Sequence, residues 1–164
     1  MLAYRLIPLY PITHCYGLGF GPLMVVGTQI ALTGHATPLG WVASLVPFFL
    51  VNNLLLLNQF PDAEADSSVG RKHVLVLLGP QRCSIIYLIF LAAAYLSILV
   101  GVLLRYLPPL ALIGLGTIPI AIATVRGVLR YRLDIPRLTP YLGMNVVINL
   151  ASPVLLAVGL TLGR

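Results

Sequence analysis

The stretch CSIIYLIFLAAAYLSILVGVLL, residues 83–104, is 22 residues long and carries no charged side chain. An α-helix needs about 20 apolar residues to cross the hydrocarbon core of a bilayer. The stretch is continuously apolar instead of alternating, and it is about twice as long as a strand of a membrane barrel. It therefore predicts a transmembrane helix.

Four further charge-free stretches flank it, at residues 17–33, 38–60, 106–125 and 138–163. The chain of 164 residues is 59% hydrophobic and 9% charged, with a mean hydropathy of +1.00. In a soluble domain about a quarter of the residues are charged, so a soluble class is excluded. We expect an all-α, polytopic transmembrane helix bundle of about five spans, with residues 1–164 forming a single transmembrane domain.

The basic residues are distributed unevenly between the two sides of such a bundle. Eight of the ten fall in the N-terminal tail and in the loops after the second and fourth spans: Arg5, Arg71, Lys72, Arg82, Arg126, Arg130, Arg132 and Arg137. Because basic loops stay in the cytoplasm, we expect this side to be cytoplasmic, in an inner or plasma membrane. The net charge of +6 reflects this placement and is no sign of a nucleic-acid partner.

The acidic residues are concentrated in one cytoplasmic segment, the predicted aspartate-rich loop 58–82. It begins NQFPDAEADSSVGRKHVLVLLG, residues 58–79, and holds three of the four acidic residues: Asp62, Glu64 and Asp66. On a helix starting at Pro61, a favourable first position for proline, Asp62 and Asp66 would lie one turn apart on the same face. Two carboxylates that close repel unless a cation lies between them, and Mg²⁺ accepts such a pair while keeping places for water and phosphate oxygens.

Other polar residues of the segment are suited to a phosphate-bearing ligand. Arg71 and Lys72 directly follow Gly70 and can contact phosphate, and Asn58 offers an amide one turn before Asp62. The amides at Asn52 and Asn53 lie deeper in the second span, where they are costly unless they face a partner or a cavity. From the residues alone, an ordinary solvated turn remains an equal alternative to a metal–diphosphate site.

The stretch NNLLLLNQFPDAEADSSVGRKHVLVLLG, residues 52–79, resembles the second aspartate-rich motif of the UbiA-type intramembrane aromatic prenyltransferases. That motif reads approximately N-x-x-x-D-x-x-x-D-x-x-x-G-K/R-x-x-L/V-x-V-x-L-G. The positions in register are Asn58, Asp62, Asp66, Gly70, Arg71 and Gly79. The continuation GRKH, and GPLMVVG in the first span, are most similar to the branch that prenylates 1,4-dihydroxy-2-naphthoate in menaquinone synthesis.

The resemblance implies transfer of an isoprenyl group from a polyprenyl diphosphate to an aromatic quinone precursor, of menaquinone or ubiquinone type. It assigns Asp62 and Asp66 as catalytic ligands of Mg²⁺. Asn58, Arg71 and Lys72 would bind the diphosphate substrate. Metal and basic residues would stabilise the charge on the leaving diphosphate, while the bundle keeps water from the allylic cation.

The family fold has nine spans and a further aspartate motif, of the N-D-x-x-D-x-x-x-D kind, in its N-terminal half. Here Asp134 is the single acidic residue outside the segment just described. We therefore expect five spans that correspond to the last five of the nine, with little activity from this chain alone. Three explanations stay open: a truncated or split gene product, a half-bundle that pairs with a second chain, or a degenerate relative.

Functions of other classes also remain open at this stage. A non-catalytic membrane subunit, or a small transporter with an acidic cytoplasmic loop, would share the composition. A transporter is expected to carry polar or charged residues near the middle of several spans, whereas such residues are numerous in the second span alone. His73, next to Lys72, is expected at the rim of the bundle, with diphosphate contact as the lesser alternative.

Overall fold

The computed structural model describes residues 16–68, 70 and 73–163. Within them the chain forms five helical segments in sequence. α1 covers residues 16–33, where a π-helical stretch Gly19–Leu23 leads into an α-helix Met24–Thr33. α2 is Pro38–Ser68, α3 is Val74–Leu103, and α5 is Ile135–Leu162. α4 covers Pro109–Tyr131, a 3₁₀-helix Pro109–Thr117 that continues as an α-helix Ile118–Tyr131.

In the described part of the chain, α2 to α5 are each long and apolar enough to cross a membrane. This confirms the all-α, polytopic bundle and indicates an integral, multi-pass membrane protein. The first predicted span, 17–33, is helical too, but a π-helical stretch interrupts it and its α-helical part has 10 residues.

Small residues bring the helices into close contact, as is usual in lipid. Gly17 and Gly21 of α1 lie against Phe48 of α2, and Gly159 of α5 lies against the backbone of Leu110 at the start of α4. A side chain at any of these glycines would overlap its neighbour. Two of the three glycines in the stretch GLGFG, residues 17–21, thus allow close helix approach, whereas Gly19 has no described neighbour within 4 Å of its Cβ position.

The segment 58–82 differs from the predicted loop. Residues 58–68 belong to α2 and residues 74–82 to α3, so the connection between them is short. The prediction that a separate helix starts at Pro61 is wrong, because α2 runs through Pro61 without a break. Proline removes one backbone hydrogen bond there, while Leu56, Leu57 and Phe60, buried in the core immediately before it, hold the helix in place.

The helices alternate in direction, which defines two ends of the bundle. The end of α2, the start of α3 and the α4–α5 connection lie at the acidic end, so called because it carries Asp62, Glu64, Asp66 and Asp134. The start of α2 and the ends of α3 and α5 lie at the opposite end, the Arg105 end, where Leu39, Leu103 and Leu160 line one groove.

Candidate functional site

Three polar side chains follow one another along the last turns of α2. Asn58, Asp62 and Asp66 are spaced four residues apart, so they lie on one face of the helix. Asn58 and Asp62 are exposed, and Asp66 keeps 20% of its side chain exposed. The opposite face is held in the core by Leu57 and Phe60, which turns the polar face away from the core. The structure thus brings these three predicted site residues together.

Glu64 lies apart from this polar face. It follows Asp62 by two positions, about 200° around a helix with 3.6 residues per turn, and its side chain is exposed. Asp134 is separate as well, because it caps the start of α5 and its Oδ2 lies 3.3 Å from Nε of Arg137. Neither acid adds a third carboxylate to the pair on α2.

His73 contacts Asp66 of the site, and the sequence did not predict this contact. It stands immediately before α3, and its Nε2 lies 3.2 Å from Oδ2 of Asp66. The two atoms are at ion-pair distance, although their alignment is not that of a hydrogen bond. One feature of the sequence could have indicated this contact. Asp66 and His73 are seven residues apart on either side of a chain reversal, so the start of α3 can fold back on the end of α2.

Two side-chain to backbone contacts hold the first turns of α3, one to α2 and one to the part of α3 that follows the break at Gly79. Leu75 donates its backbone N–H to Oε1 of Gln59 in α2, at 3.2 Å, and is itself buried. Sγ of Cys83 lies 3.7 Å from the carbonyl oxygen of Val74. These contacts fix the position from which His73 approaches Asp66.

Two glycines of the motif occupy backbone conformations that favour glycine. Gly70, in the α2–α3 connection, has φ +73°, and Gly79 has φ +78° and ψ 161°. Among the described residues, no neighbouring atom lies within 4 Å of the place where a Cβ would stand at either glycine. Backbone conformation, and not lack of space, therefore explains glycine at both positions. The break at Gly79, directly before Pro80, divides α3 into a short first piece and a long second one.

Buried polar side chains continue from this site into the middle of the bundle. Asn53 donates its Nδ2 to the carbonyl oxygen of Tyr87 at 3.0 Å, and Tyr87 donates its Oη to Oδ1 of Asn145 at 2.9 Å. Asn149 donates to the carbonyl oxygen of Leu50. The sequence analysis did not single out the two asparagines of α5. Their spacing of four residues in an otherwise apolar run could have indicated a shared polar face.

These interior amides serve mainly to join α2, α3 and α5. Each of these three hydrogen bonds links two different helices, and none of the groups is charged. Asn52 is buried beside Gly17 and makes no hydrogen bond with a described residue. Amides that link helices are a usual feature of membrane bundles, so they give no support to an ion path.

Two of the predicted substrate-binding residues, Arg71 and Lys72, lie outside the described residues. Among the residues that are described, no three His, Cys, Asp or Glu side chains are grouped so as to hold a metal ion. The donor chemistry of α2 nevertheless fits Mg²⁺, which takes one or two protein carboxylates and completes its coordination with water and phosphate oxygens. The polar face of α2 thus offers two carboxylates, and a Mg²⁺ site there would need further oxygen ligands.

Comparison with known proteins gives one family match. The model of the UbiA prenyltransferase family matches residues 2–147, a range that includes the polar face of α2, both motif glycines and the first 13 of the 28 residues of α5. No curated protein and no solved structure matches the chain significantly.

Proposed function

The chain belongs to the UbiA prenyltransferase family, and we propose on that premise that it transfers an isoprenyl group from a polyprenyl diphosphate to an aromatic quinone precursor. Prenyl transfer to aromatic acceptors is the general activity of the family. The proposed acceptor is of the 1,4-dihydroxy-2-naphthoate type, the substrate class of menaquinone synthesis. The sequence GRKH at residues 70–73 supports that choice, because it is most similar to the corresponding branch.

The observation that carries the proposal is the shared face of Asn58, Asp62 and Asp66. These residues stand in successive turns at the end of a membrane-spanning helix, where a polar diphosphate can remain in water while its apolar tail lies among the helices. A solvated turn does not account for the packing of His73 against Asp66, since that contact keeps the carboxylate in one place.

We assign each residue of the site a role. Asp62 and Asp66 hold Mg²⁺ through carboxylate oxygens, and a bound Mg²⁺ supplies positive charge beside the departing diphosphate. Asn58 donates its amide hydrogens to a diphosphate oxygen. His73 orients the Asp66 carboxylate, in the way that residues behind metal ligands commonly do.

Arg71 and Lys72 are proposed to bind the diphosphate directly. An arginine side chain can donate two parallel hydrogen bonds to phosphate oxygens, and a lysine adds a mobile positive charge. Both residues follow Gly70, whose positive φ reverses the chain between α2 and α3. The apolar bundle would exclude water while the bond between the allylic carbon and the diphosphate oxygen breaks.

The site is proposed to need carboxylates from outside this sequence. Of the four acidic residues, Asp134 is engaged at the start of α5 and Glu64 points away from the pair. A second cluster of acids, from an N-terminal half or from a second chain, would face the polar side of α2. The proposal predicts low turnover by the isolated chain and higher turnover when such a partner is supplied.

The test is a prenylation assay on the purified chain with Mg²⁺, a polyprenyl diphosphate and 1,4-dihydroxy-2-naphthoate. The assay is run on the chain alone and on the chain co-expressed with the half of a family member that carries the first aspartate motif. Prenylated product is expected, and Asp62→Asn or Asp66→Asn should lower it by at least about 100-fold, the scale for loss of a group that stabilises transition-state charge. Glu64→Gln is the matched control, since it removes a carboxylate from the same helix but from another face. Unchanged turnover in both aspartate variants would refute the assignment.

A further inference from the structure

A second feature of the molecule lies at the Arg105 end, far from the aspartates. The C-terminus of α3 closes with two backbone hydrogen bonds: Arg105 N to Val102 O at 3.0 Å, and Tyr106 N to Gly101 O at 2.9 Å. This pair of bonds is the Schellman motif, whose second-last residue, the first after the helix C-cap, is usually glycine because its φ is positive. Here that position is Arg105, with φ +60°. An arginine thus occupies a backbone conformation that favours glycine.

The arginine borders a groove at the surface of the bundle. The groove has a volume of about 730 Å³ and lies between the start of α2, the end of α3, the α3–α4 connection and the end of α5. Its walls are mostly apolar, and they include Leu39, Val102, Leu107 and Leu160. The side chains next to it face outward, since Leu103 is 70% exposed and Tyr106 is 46% exposed. An exposed leucine and tyrosine at the end of a spanning helix are expected where a bundle meets lipid.

No acidic side chain of this chain is near the Arg105 guanidinium. All four acids of the sequence are at the acidic end, three of them at the end of α2 and one at the start of α5. No described residue forms a hydrogen bond or an ion pair with the Arg105 side chain. Arg105 itself is exposed, so its guanidinium is open to a negatively charged group of the surrounding membrane.

We propose that this groove binds an anionic phospholipid, with its phosphate on Arg105 and an acyl chain along the apolar wall. A guanidinium can donate two parallel hydrogen bonds to phosphate oxygens and is less strongly hydrated than an ammonium group. The apolar wall provides a contact surface for a hydrocarbon chain. A free phosphate ion would not use this surface. This site is independent of the proposed catalytic function, because it shares no residue with the polar face of α2.

The single tryptophan of the sequence provides a local probe for the test. Trp41 lies in the first turns of α2, is 53% exposed, and is next to Val42, which packs against Gly101 of the motif. The full chain is reconstituted in phosphatidylcholine vesicles, and brominated phosphatidylglycerol or brominated phosphatidylcholine is added at equal mole fractions. Bromine quenches tryptophan fluorescence at short range. We expect the anionic lipid to show a relative affinity about five-fold higher, the factor for one basic residue near an anionic surface.

The informative variant is Arg105→Gly, which removes the charge and suits the positive φ. Its thermal unfolding in detergent should occur at the same temperature as in the wild type or higher, while the preference for phosphatidylglycerol falls to about one. If glycine impairs folding, Arg105→Asn replaces it, since asparagine tolerates this conformation. Arg126→Gln is the control: it removes an exposed arginine nearer the acidic end and should leave the preference unchanged.

Three results would overturn the proposal. Equal quenching of the wild type by both lipids would show that the groove does not select anionic lipid. A preference that persists in Arg105→Gly would show that another group is responsible. Displacement of the brominated anionic lipid by excess inorganic phosphate would assign the arginine to a free anion instead of a lipid.

Discussion

At the scale of single residues, Gly79 shows how the motif uses backbone conformation. With φ +78° and ψ 161°, it lies in a region that is essentially open to glycine alone, at a cost of about 1–3 kcal/mol for other residues. We expect Gly79→Ala to lower the free energy of unfolding by about that amount, measured by thermal unfolding in detergent. Gly27→Ala, in α1 with no described neighbour within 4 Å of its Cβ position, should be neutral or stabilising. Equal losses in both variants would contradict the account.

A second prediction at this scale concerns the hydrogen bond from Tyr87 to Asn145. Tyr87→Phe removes a donor from an amide that is 1% exposed, so the amide oxygen loses its partner. We expect a loss of about 1 kcal/mol, since interhelical hydrogen bonds in membranes range from about 0.6 to 2 kcal/mol. Tyr106→Phe, at a tyrosine that is 46% exposed, is the control and should change the unfolding free energy little. No difference between the two variants would show that the bond adds nothing.

At the scale of helices, Gly159 sets the distance between α5 and the start of α4. A Cβ at this position would overlap the backbone of Leu110 and Ala111, and backbone cannot move aside as a flexible side chain can. We expect Gly159→Ala to separate the two segments and to cost about 1–3 kcal/mol. Gly143→Ala is the control on the same helix, because no described neighbour lies within 4 Å of its Cβ position. A Gly159→Ala protein as stable as the Gly143→Ala protein would refute close contact at this crossing.

The sequence predicted the helices better than it predicted their ends. Charge-free stretches locate the apolar cores of α2 to α5, because lipid requires long runs without charge. They do not show that α2 continues past Phe60 to Ser68, since polar residues beyond the membrane can be helical or not. The packing of Leu56, Leu57 and Phe60 decides this, and such packing depends on neighbours that a single stretch does not reveal.

The site could be predicted in part for the same reason. The i, i+4 spacing of Asp62 and Asp66 is a local property, and the structure places both residues on one helix, as expected. The contact of Asp66 with His73 depends on how α3 folds back on α2, and the pairing of Tyr87 with Asn145 joins residues 58 positions apart. Spacing along the chain carries no information about contacts of that kind.

At the scale of the whole molecule, the distribution of charge predicts which end lies in the cytoplasm. We expect the acidic end to be cytoplasmic, because five of the six described arginines lie toward it and Arg105 alone among them lies at the other end. In a background with Cys15 and Cys83 replaced by alanine, Ser68→Cys should react with a membrane-impermeant thiol reagent only after the cells are permeabilised. Ala36→Cys, an exposed position between α1 and α2, should react in intact cells. The reverse pattern would invert the topology and place the proposed site outside.

The central claim is that the carboxylates of Asp62 and Asp66 bind a diphosphate through Mg²⁺, and ligand-induced stabilisation tests it most directly. The purified chain is unfolded thermally in detergent with a polyprenyl diphosphate, with and without Mg²⁺. A ligand at about 100 times its Kd adds about 2.7 kcal/mol to the free energy of unfolding. The account predicts Mg²⁺-dependent stabilisation of the wild type and of Glu64→Gln, and none of Asp62→Asn or Asp66→Asn. Equal stabilisation of all four proteins, or stabilisation without Mg²⁺, would contradict it.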